Sequence, residues 1–442
     1  MGIVSYLEQR LIPFHYYLLV ICSLAYMFGG MNVMIIGTVL ASIGKEWALT
    51  EIEKGFLVSV GYAGMFFGAS SSGFIADRIG RKRTLILMII LSSIFTALNS
   101  TAKDMIMMMI LRFIAGIGLG GLLPLPAVYV SEYTPAKYRG RFVGIVETFW
   151  VYGALLSLLA GYIIIPLYGW RNTFLMALTP LLLIPGLLIL PESIRYLESK
   201  GQSEEAIKIL REKGLISGEQ KIEVASSMKL ERRTLRDITL LFSKAYINRT
   251  IVLWTLWAVL VYTYHGIFIF LPNIYVTTFG FGEIRSLQWA LIITLAQVPG
   301  YYSAALLLDR AGRKPIIAVY LFIAGISCIL MATAVEASQV LFWSSLIAFF
   351  NLGAWSGLYT YTPELYPTEI RGFGTGVAAS IGRLAGIIAP IITTYLMTIA
   401  GHQLIWAFTV FSIAHIAAAI ITVALGIETK SKTLEELAST KA

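Results

Sequence analysis

Apolar stretches of about 18 residues or more, with few or no charges, recur along the 442-residue chain, and polar residues collect in short segments between them. A membrane-crossing helix needs roughly 20 consecutive apolar residues. The pattern therefore predicts an all-α membrane protein with twelve transmembrane helices. The predicted spans are 14–43, 55–76, 84–102, 104–131, 142–168, 173–190, 250–278, 286–308, 315–335, 338–362, 373–399 and 403–426. The first run is too long for a cleavable signal, and Glu8 and Arg10 precede it without a small-residue cleavage site, so it is expected to remain as span 1. Between spans 6 and 7 lies a hydrophilic segment that begins PESIRYLESK and has helical patterning.

Composition agrees with this reading. Hydrophobic residues make up 57% of the chain and charged residues 13%, against about 25% charged in an average soluble domain. A net charge of +9 raises the possibility of a nucleic-acid partner. Its distribution argues against one, because only Lys45, Lys54, Lys103, Arg171 and Arg285 fall in the odd-numbered loops and nearly all the rest lie in the N-terminus, the even-numbered loops and the tail. This is the positive-inside pattern. It predicts a multi-pass protein of the cell membrane with both termini cytoplasmic, its basic excess facing lipid rather than nucleic acid. Cys22 and Cys328 both sit in spans, where they read as small apolar fillers rather than a disulfide or a metal site. No Gly-rich phosphate loop, H-E-x-x-H or C-x-x-C occurs, so neither an enzyme nor an ATP-driven pump is expected, and no metal or other cofactor.

The chain repeats itself. DRIGRKR at 77–83, after span 2, returns as DRAGRKP at 309–315, after span 8. EYTPAKYRG at 132–140, after span 4, returns as ELYPTEIRG at 364–372, after span 10. Both pairs are 232 residues apart. Two motifs with one offset predict two six-helix halves in the same orientation, as in transporters whose halves are related by an axis along the membrane normal. The expected divisions are 1–195 for the first half, 196–245 for a partly helical cytoplasmic linker, 246–430 for the second half and 431–442 for a cytoplasmic tail. Topology alone accounts for the basic residues but not for the repeated acids and glycines. Asp77, Arg78, Gly80, Arg81, Glu132 and Arg139, with their counterparts Asp309, Arg310, Gly312, Arg313, Glu364 and Arg371, are therefore read as a gating or structural motif at the cytoplasmic helix ends.

Three ionisable residues stand well inside spans: Arg112, Glu147 and Arg383. A charge at the bilayer centre costs at least about 2.5–3.5 kcal/mol on insertion scales, so each is a functional-site hypothesis. Arg383 lies twelve residues beyond Arg371, about 18 Å along a helix, which is too deep for comfortable snorkelling. Glu147 lies eight residues beyond Arg139, about 12 Å in. The offset relates Arg383 to Val151 and Glu147 to Ala379, so the two charges are not copies of each other. They project from equivalent faces of related helices, one turn apart. That is the arrangement expected of a substrate site between two halves. A structural Arg–Glu pair is the alternative.

With these motifs on the page, the chain resembles the major facilitator superfamily. D-R-x-G-R-[KR] after spans 2 and 8, RFIAGIGLGG in span 4 and PES-x-R-[YW]-L after span 6 are similar to its sugar and organic-ion porter branch. RGRFVGIVETFWVYG (139–153), YTYHGIFIFLPNIY (262–275), LAQVPGYYSA (295–304) and YTPELYPTEIRGFGTG (361–376) resemble bacterial niacin permeases and synaptic-vesicle-type transporters. The resemblance implies uptake of a small, often aromatic, carboxylate, proton-linked or facilitated. It implies that Arg383 occupies a charge-selector position, with Arg in anion carriers, and a guanidinium can grip a carboxylate through two parallel hydrogen bonds. It implies a substrate-contacting position for Glu147, which is also a candidate proton carrier or a partner for Arg383 or Arg112. Arg112 matches an Arg whose proton-coupling partner in sugar porters is an acid in span 1, yet here Gly29 and Asn32 stand where relatives often carry acids.

Aromatic residues are frequent near the expected cavity, among them Trp150, Tyr152, Trp257, Tyr262, Tyr264, His265, Tyr301, Tyr302, Trp355, Tyr359 and Tyr361. The cluster in spans 7 and 10 suits stacking against a flat ring. The candidate substrate site is Arg383, Glu147, Trp150, Tyr264, Trp355, Tyr359 and Asn32, with Glu147 and Arg112 as proton-coupling candidates. Gly376, Ala379, Gly382 and Gly386 are expected to let span 11 pack closely. The reading is a monomeric secondary transporter of a small organic anion working by alternating access, with the proton gradient as coupling ion. A sugar or organic-cation carrier of the same fold is the alternative.

Overall fold

The structure, a computed structural model, describes residues 11–215, 236–366, 368–399 and 404–430. The tail expected at 431–442 and part of the linker, 216–235, lie outside the described residues.

The described residues form twelve long helices: α1 Pro13–Glu46, α2 Glu51–Ile79, α3 Arg81–Leu98, α4 Met105–Tyr133, α5 Ala136–Tyr168, α6 Trp170–Ile189, α7 Ile247–Phe268, α8 Glu283–Ala311, α9 Arg313–Ala332, α10 Ala337–Glu364, α11 Thr368–Ile399 and α12 Leu404–Leu425. Among the described residues, eleven are long and apolar enough to cross a membrane; α2, with its glycines and serines, falls short on composition alone. Large apolar side chains such as Phe74, Ile106, Leu182 and Leu306 are 70–79% exposed, as lipid-facing residues of a spanning bundle are.

Local chemistry sets the helix ends. Thr50 and Glu53 form a capping box, Glu53 N donating to Thr50 Oγ1 at 3.3 Å and Thr50 N to Glu53 Oε2 at 2.8 Å. The box starts α2 at Glu51 rather than at the predicted residue 55, which draws Lys54 out of the loop into a buried turn. In α4 and after α7 the helical hydrogen-bond pattern is interrupted at Leu123 and at Ile269–Phe270, just ahead of Pro124 and Pro272, where the backbone keeps helical dihedrals but proline has no N–H to donate to the carbonyl four residues back.

The repeat is visible in the packing. A Cβ on Gly68 would come within 2.0 Å of the Ile117 carbonyl, and one on Gly300, its counterpart at the same offset, within 2.1 Å of the Phe349 carbonyl. Bare glycine lets α2 approach α4, and α8 approach α10, backbone to backbone. At the motif loops Gly80 and Gly312 both have φ of 101°, a backbone conformation that favours glycine. The turn they make lets Arg81 Nη1 reach Asp77 at 2.9 Å and Arg81 Nε reach Glu132 at 3.1 Å, while Arg313 bonds Asp309 and Glu364, both at 3.3 Å.

Across the halves, α2 packs on α11 and α5 on α8. At the end opposite the motif loops the halves are also bonded. Lys54 Nζ donates to Glu51 at 2.7 Å and to Asn273 Oδ1 at 3.1 Å, and Asn273 Nδ2 donates back to Glu51 at 3.0 Å. This closed ring of three buried groups joins α2 to the segment after α7, and Ser42 donates to Glu283 nearby. Around it the backbones meet so closely that a Cβ on Gly37 would lie 2.5 Å from the Ile269 carbonyl.

Gly68→Ala should lower the thermal stability of the purified protein by about 1–3 kcal/mol, because the added methyl meets backbone that cannot rotate away. Gly73→Ala, in the same helix but with nothing within 4 Å, should change it by less than about 0.5 kcal/mol. Equal effects in a melting experiment would refute this account of the packing.

Candidate functional site

A cavity of about 1020 Å³ lies between the halves, lined from α1, α2, α4 and α5 on one side and α7, α8, α10 and α11 on the other. Arg383 and Glu147 both line it, and so do Val151 and Ala379, their counterparts at the 232-residue offset. The pseudo-symmetry thus brings four related positions to one space and places a charge at only two of them.

Glu147 is 8% exposed. Tyr26 in α1 donates a hydrogen bond to its Oε2, and the Tyr359 hydroxyl stands beside it. Arg383 is treated differently. No hydrogen bond to its guanidinium is found among the described residues, and no carboxylate lies within 4.0 Å of it, Glu147 included. Tyr26, Tyr62, Tyr359 and Glu147 are its neighbours in electrostatic range. The guanidinium is partly exposed to the cavity, so all its donors are free to meet an incoming group.

The walls are aromatic. Trp150 Nε1 donates to the Tyr264 hydroxyl at 2.9 Å, and that hydroxyl donates to Gln297 Oε1 at 3.2 Å, a chain that crosses from α5 to α7 and α8. Trp257 packs edge-on against Trp355 and Tyr359, each with ring centroids 5.7 Å apart, and donates from Nε1 to Thr362 Oγ1 at 3.2 Å. The Trp355 indole nitrogen is buried and has no partner. His265 uses Nδ1 at 2.9 Å from the Val261 carbonyl, which makes that nitrogen the proton-bearing one and leaves Nε2 as an unpartnered acceptor.

Of the candidate substrate-site residues, the structure brings Arg383, Glu147, Trp150, Tyr264, Trp355 and Tyr359 to this cavity. Asn32 is not there and has to be corrected. It is six residues beyond Tyr26, about 240° further round the helix, so it turns away from the cavity and into a separate small space with Arg112. Arg112 and Glu147 therefore sit in different cavities. Among the other aromatic candidates, Trp257, His265 and Tyr301 line the cavity. Tyr262 packs instead on Phe411, Tyr361 bonds the Ile427 carbonyl, and Tyr152 and Tyr302 meet each other at 3.5 Å. In α11, Gly382 and Gly386 do sit against α7 and Tyr62, whereas Gly376 has nothing within 4 Å.

Sequence reasoning missed Tyr26, Tyr62 and Gln297, which sit in otherwise ordinary apolar runs. It also gives no role to Glu192, which stands within the PES motif, or to Glu428. Glu192 accepts from the Arg81 backbone at 2.7 Å and Glu428 from the Arg313 backbone at 3.0 Å, which makes them equivalent acids of the two motif clusters. They are 236 residues apart rather than 232, so the fixed offset passes over them. Each precedes a hydroxyl residue, Ser193 and Thr429, and that pairing was the available signal. Arg139 and Arg371 bond carbonyls at the ends of α4 and α10, Ser131 at 3.0 Å and Tyr366 at 3.2 Å, while Arg78 and Arg310 are exposed.

Tyr26→Phe should remove the donor that satisfies Glu147 and lower thermal stability by about 1–3 kcal/mol. Tyr152→Phe, on the exposed pair, should stay within about 0.5 kcal/mol. A Tyr26→Phe protein as stable as the parent would show that the bond does not hold Glu147.

Comparison with known proteins fits this geometry. Residues 19–440 match the family described as "Sugar (and other) transporter". The chain is 38% identical over 439 residues to the niacin transporter NiaP of Acinetobacter baylyi, covering 99% of this chain and 100% of that protein. It is 28% identical to a benzoate transport protein of the same organism, covering 89% and 85% of the two chains. Its fold is similar to that of the xylose transporter XylE from E. coli in a partially occluded inward-open conformation, with a TM-score of 0.77 at 18% identity, covering 96% and 100% of the two chains.

Proposed function

Because the chain belongs to the sugar (and other) transporter family of the major facilitator superfamily and is a multi-pass membrane transporter rather than an enzyme, we propose that it carries small aromatic carboxylates of the nicotinate and benzoate type by alternating access. One observation supports this above the others: Arg383 presents an unpaired guanidinium to a cavity walled by indole and phenol rings. A guanidinium selects a carboxylate and fixes its plane through two hydrogen bonds, and the flat walls suit an aromatic ring. The names of the relatives, niacin and benzoate transporters, point to the same chemistry.

Proton coupling follows from charge balance. One cationic and one anionic side chain, Arg383 and Glu147, line the cavity. A substrate carboxylate adds a negative charge in a setting where an uncompensated charge is costly. Protonation of Glu147 restores neutrality, so substrate and proton favour each other's binding, and linkage makes the effect mutual. This reading gives one proton per monovalent carboxylate in an electroneutral cycle. We place the protein in the cell membrane as a monomer with the motif loops and both termini on the cytoplasmic side, following the basic-residue distribution. In that orientation the Glu51–Lys54–Asn273 ring closes the outer end and must open to admit substrate.

A sugar reading finds less support, since a sugar needs many neutral hydrogen-bonding groups and no Asn, Gln, Ser or Thr is among the described residues lining the cavity. A cation reading fails on Arg383, the free charge, while Glu147 is already hydrogen-bonded.

Reconstituted protein should take up labelled nicotinate or benzoate, faster with an inward proton gradient, and should not take up glucose or a quaternary amine. Arg383→Ala should weaken carboxylate binding at least about 30-fold. Glu147→Gln should keep binding and exchange but lose stimulation by the proton gradient. Uptake confined to glucose or the amine, or normal carboxylate transport by Arg383→Ala, would overturn the proposal.

A further inference from the structure

Tyr62 and Met65 also line a second, far smaller cavity, with room for about one small ion or water, formed among α1, α2, α3 and α4. Its polar lining is Asn32 from α1, Thr96 from α3 and Arg112 from α4, with Tyr62 on the wall it shares with the substrate cavity. These four residues are only 1%, 1%, 6% and 5% exposed, respectively. Arg112 Nε, both amide atoms of Asn32, Thr96 Oγ1 and the Tyr62 hydroxyl have no hydrogen-bond partner. Arg112 lies on the bare backbone of Gly61, where a Cβ would come within 2.9 Å of Nη2.

A guanidinium keeps its charge at any physiological pH, and buried without a counter-charge it is strongly destabilising. Among the described residues no Asp or Glu lines this cavity. The cavity offers a fixed cation and a carboxamide NH₂ as donors, two hydroxyls that can either donate or accept, and one group that can only accept, the carboxamide oxygen. Such a set repels cations and satisfies a small anion. It is also too small for an aromatic carboxylate that has the larger cavity next to it.

We propose that the Arg112–Asn32–Thr96–Tyr62 cavity binds one small monovalent inorganic anion of the chloride class, which neutralises Arg112 inside the first half. The anion takes the place that a carboxylate on α1 would fill, and residue 32 is positioned to supply one. Tyr62 sits on the wall of both cavities, so the anion also steadies one face of the substrate site. This assignment does not depend on which substrate Arg383 binds.

The test uses the purified full chain in gluconate, titrated with chloride and with bromide, as the parent, Arg383→Ala and Asn32→Asp. The parent and Arg383→Ala should show a saturable rise in melting temperature, as expected when an ion binds the folded state. Asn32→Asp supplies an internal carboxylate and should weaken the apparent anion affinity at least about tenfold. An anomalous difference map of bromide-soaked parent crystals should show a peak beside Arg112. The proposal is overturned if the parent shows no anion dependence, if Arg383→Ala loses it while Asn32→Asp keeps it, or if the map shows only water at Arg112. Should Asn32→Asp fail to fold, the map of the parent decides alone.

Discussion

A charge buried in a membrane-spanning bundle has to be compensated, and the three deep charges of this protein meet that demand in three ways. Glu147 is compensated from within, by a hydroxyl donor on α1. Arg383 has Glu147 in electrostatic range but no hydrogen-bonded partner among the described residues, and it opens to the central cavity. Arg112 is closed off with other unpartnered polar groups in a cavity of its own. The free energy that an isolated cation costs becomes available to whatever anion relieves it. In the proposed cycle the substrate gives that relief to Arg383 and a small inorganic ion gives it to Arg112.

Everything else in the fold serves to let the cavity change its opening while the charges stay sheltered. Glycine contacts such as Gly68 on Ile117 and Gly300 on Phe349 bind helices within each half through backbone, which makes each half a stiff body. The motif clusters do the same at the loops, where Arg81 and Arg313 each tie together the ends of three helices. Contacts between the halves combine packing of α2 on α11 and of α5 on α8 with polar groups, Glu51, Lys54 and Asn273 at one end and the Trp150–Tyr264 bond at mid-depth. At the Glu51 end they include the close approach of Gly37 to the Ile269 carbonyl, so opening that end must separate backbone as well as exchange hydrogen bonds.

Much of this was legible in the sequence. The spans follow from hydropathy, and one arithmetic offset relates Glu147, Val151, Ala379 and Arg383, which in the fold line a common space. The failures have local causes. Asn32 is polar and central in α1, and hydropathy does not report which face a lone polar residue takes. In an apolar span Tyr26 and Tyr62 are indistinguishable from packing residues, and only the fold brings one hydroxyl to a carboxylate and the other to a cavity wall. Lys54 reads as a loop cation from hydropathy alone, and it is the Thr50–Glu53 capping box that places it inside α2. Glu192 and Glu428 escaped because the two halves differ by four residues just where they lie.

The central claim is that Arg383 itself holds the substrate's carboxylate. Magic-angle-spinning measurement of carbon–nitrogen dipolar coupling would test it directly, using carboxyl-¹³C nicotinate bound to protein whose arginine guanidino groups carry ¹⁵N. The account predicts a carbon–nitrogen separation of about 3.5–4 Å, the spacing of a bidentate pair, and loss of that coupling in Arg383→Lys. Coupling that persists in Arg383→Lys, or its absence in the parent with nicotinate bound, would contradict it.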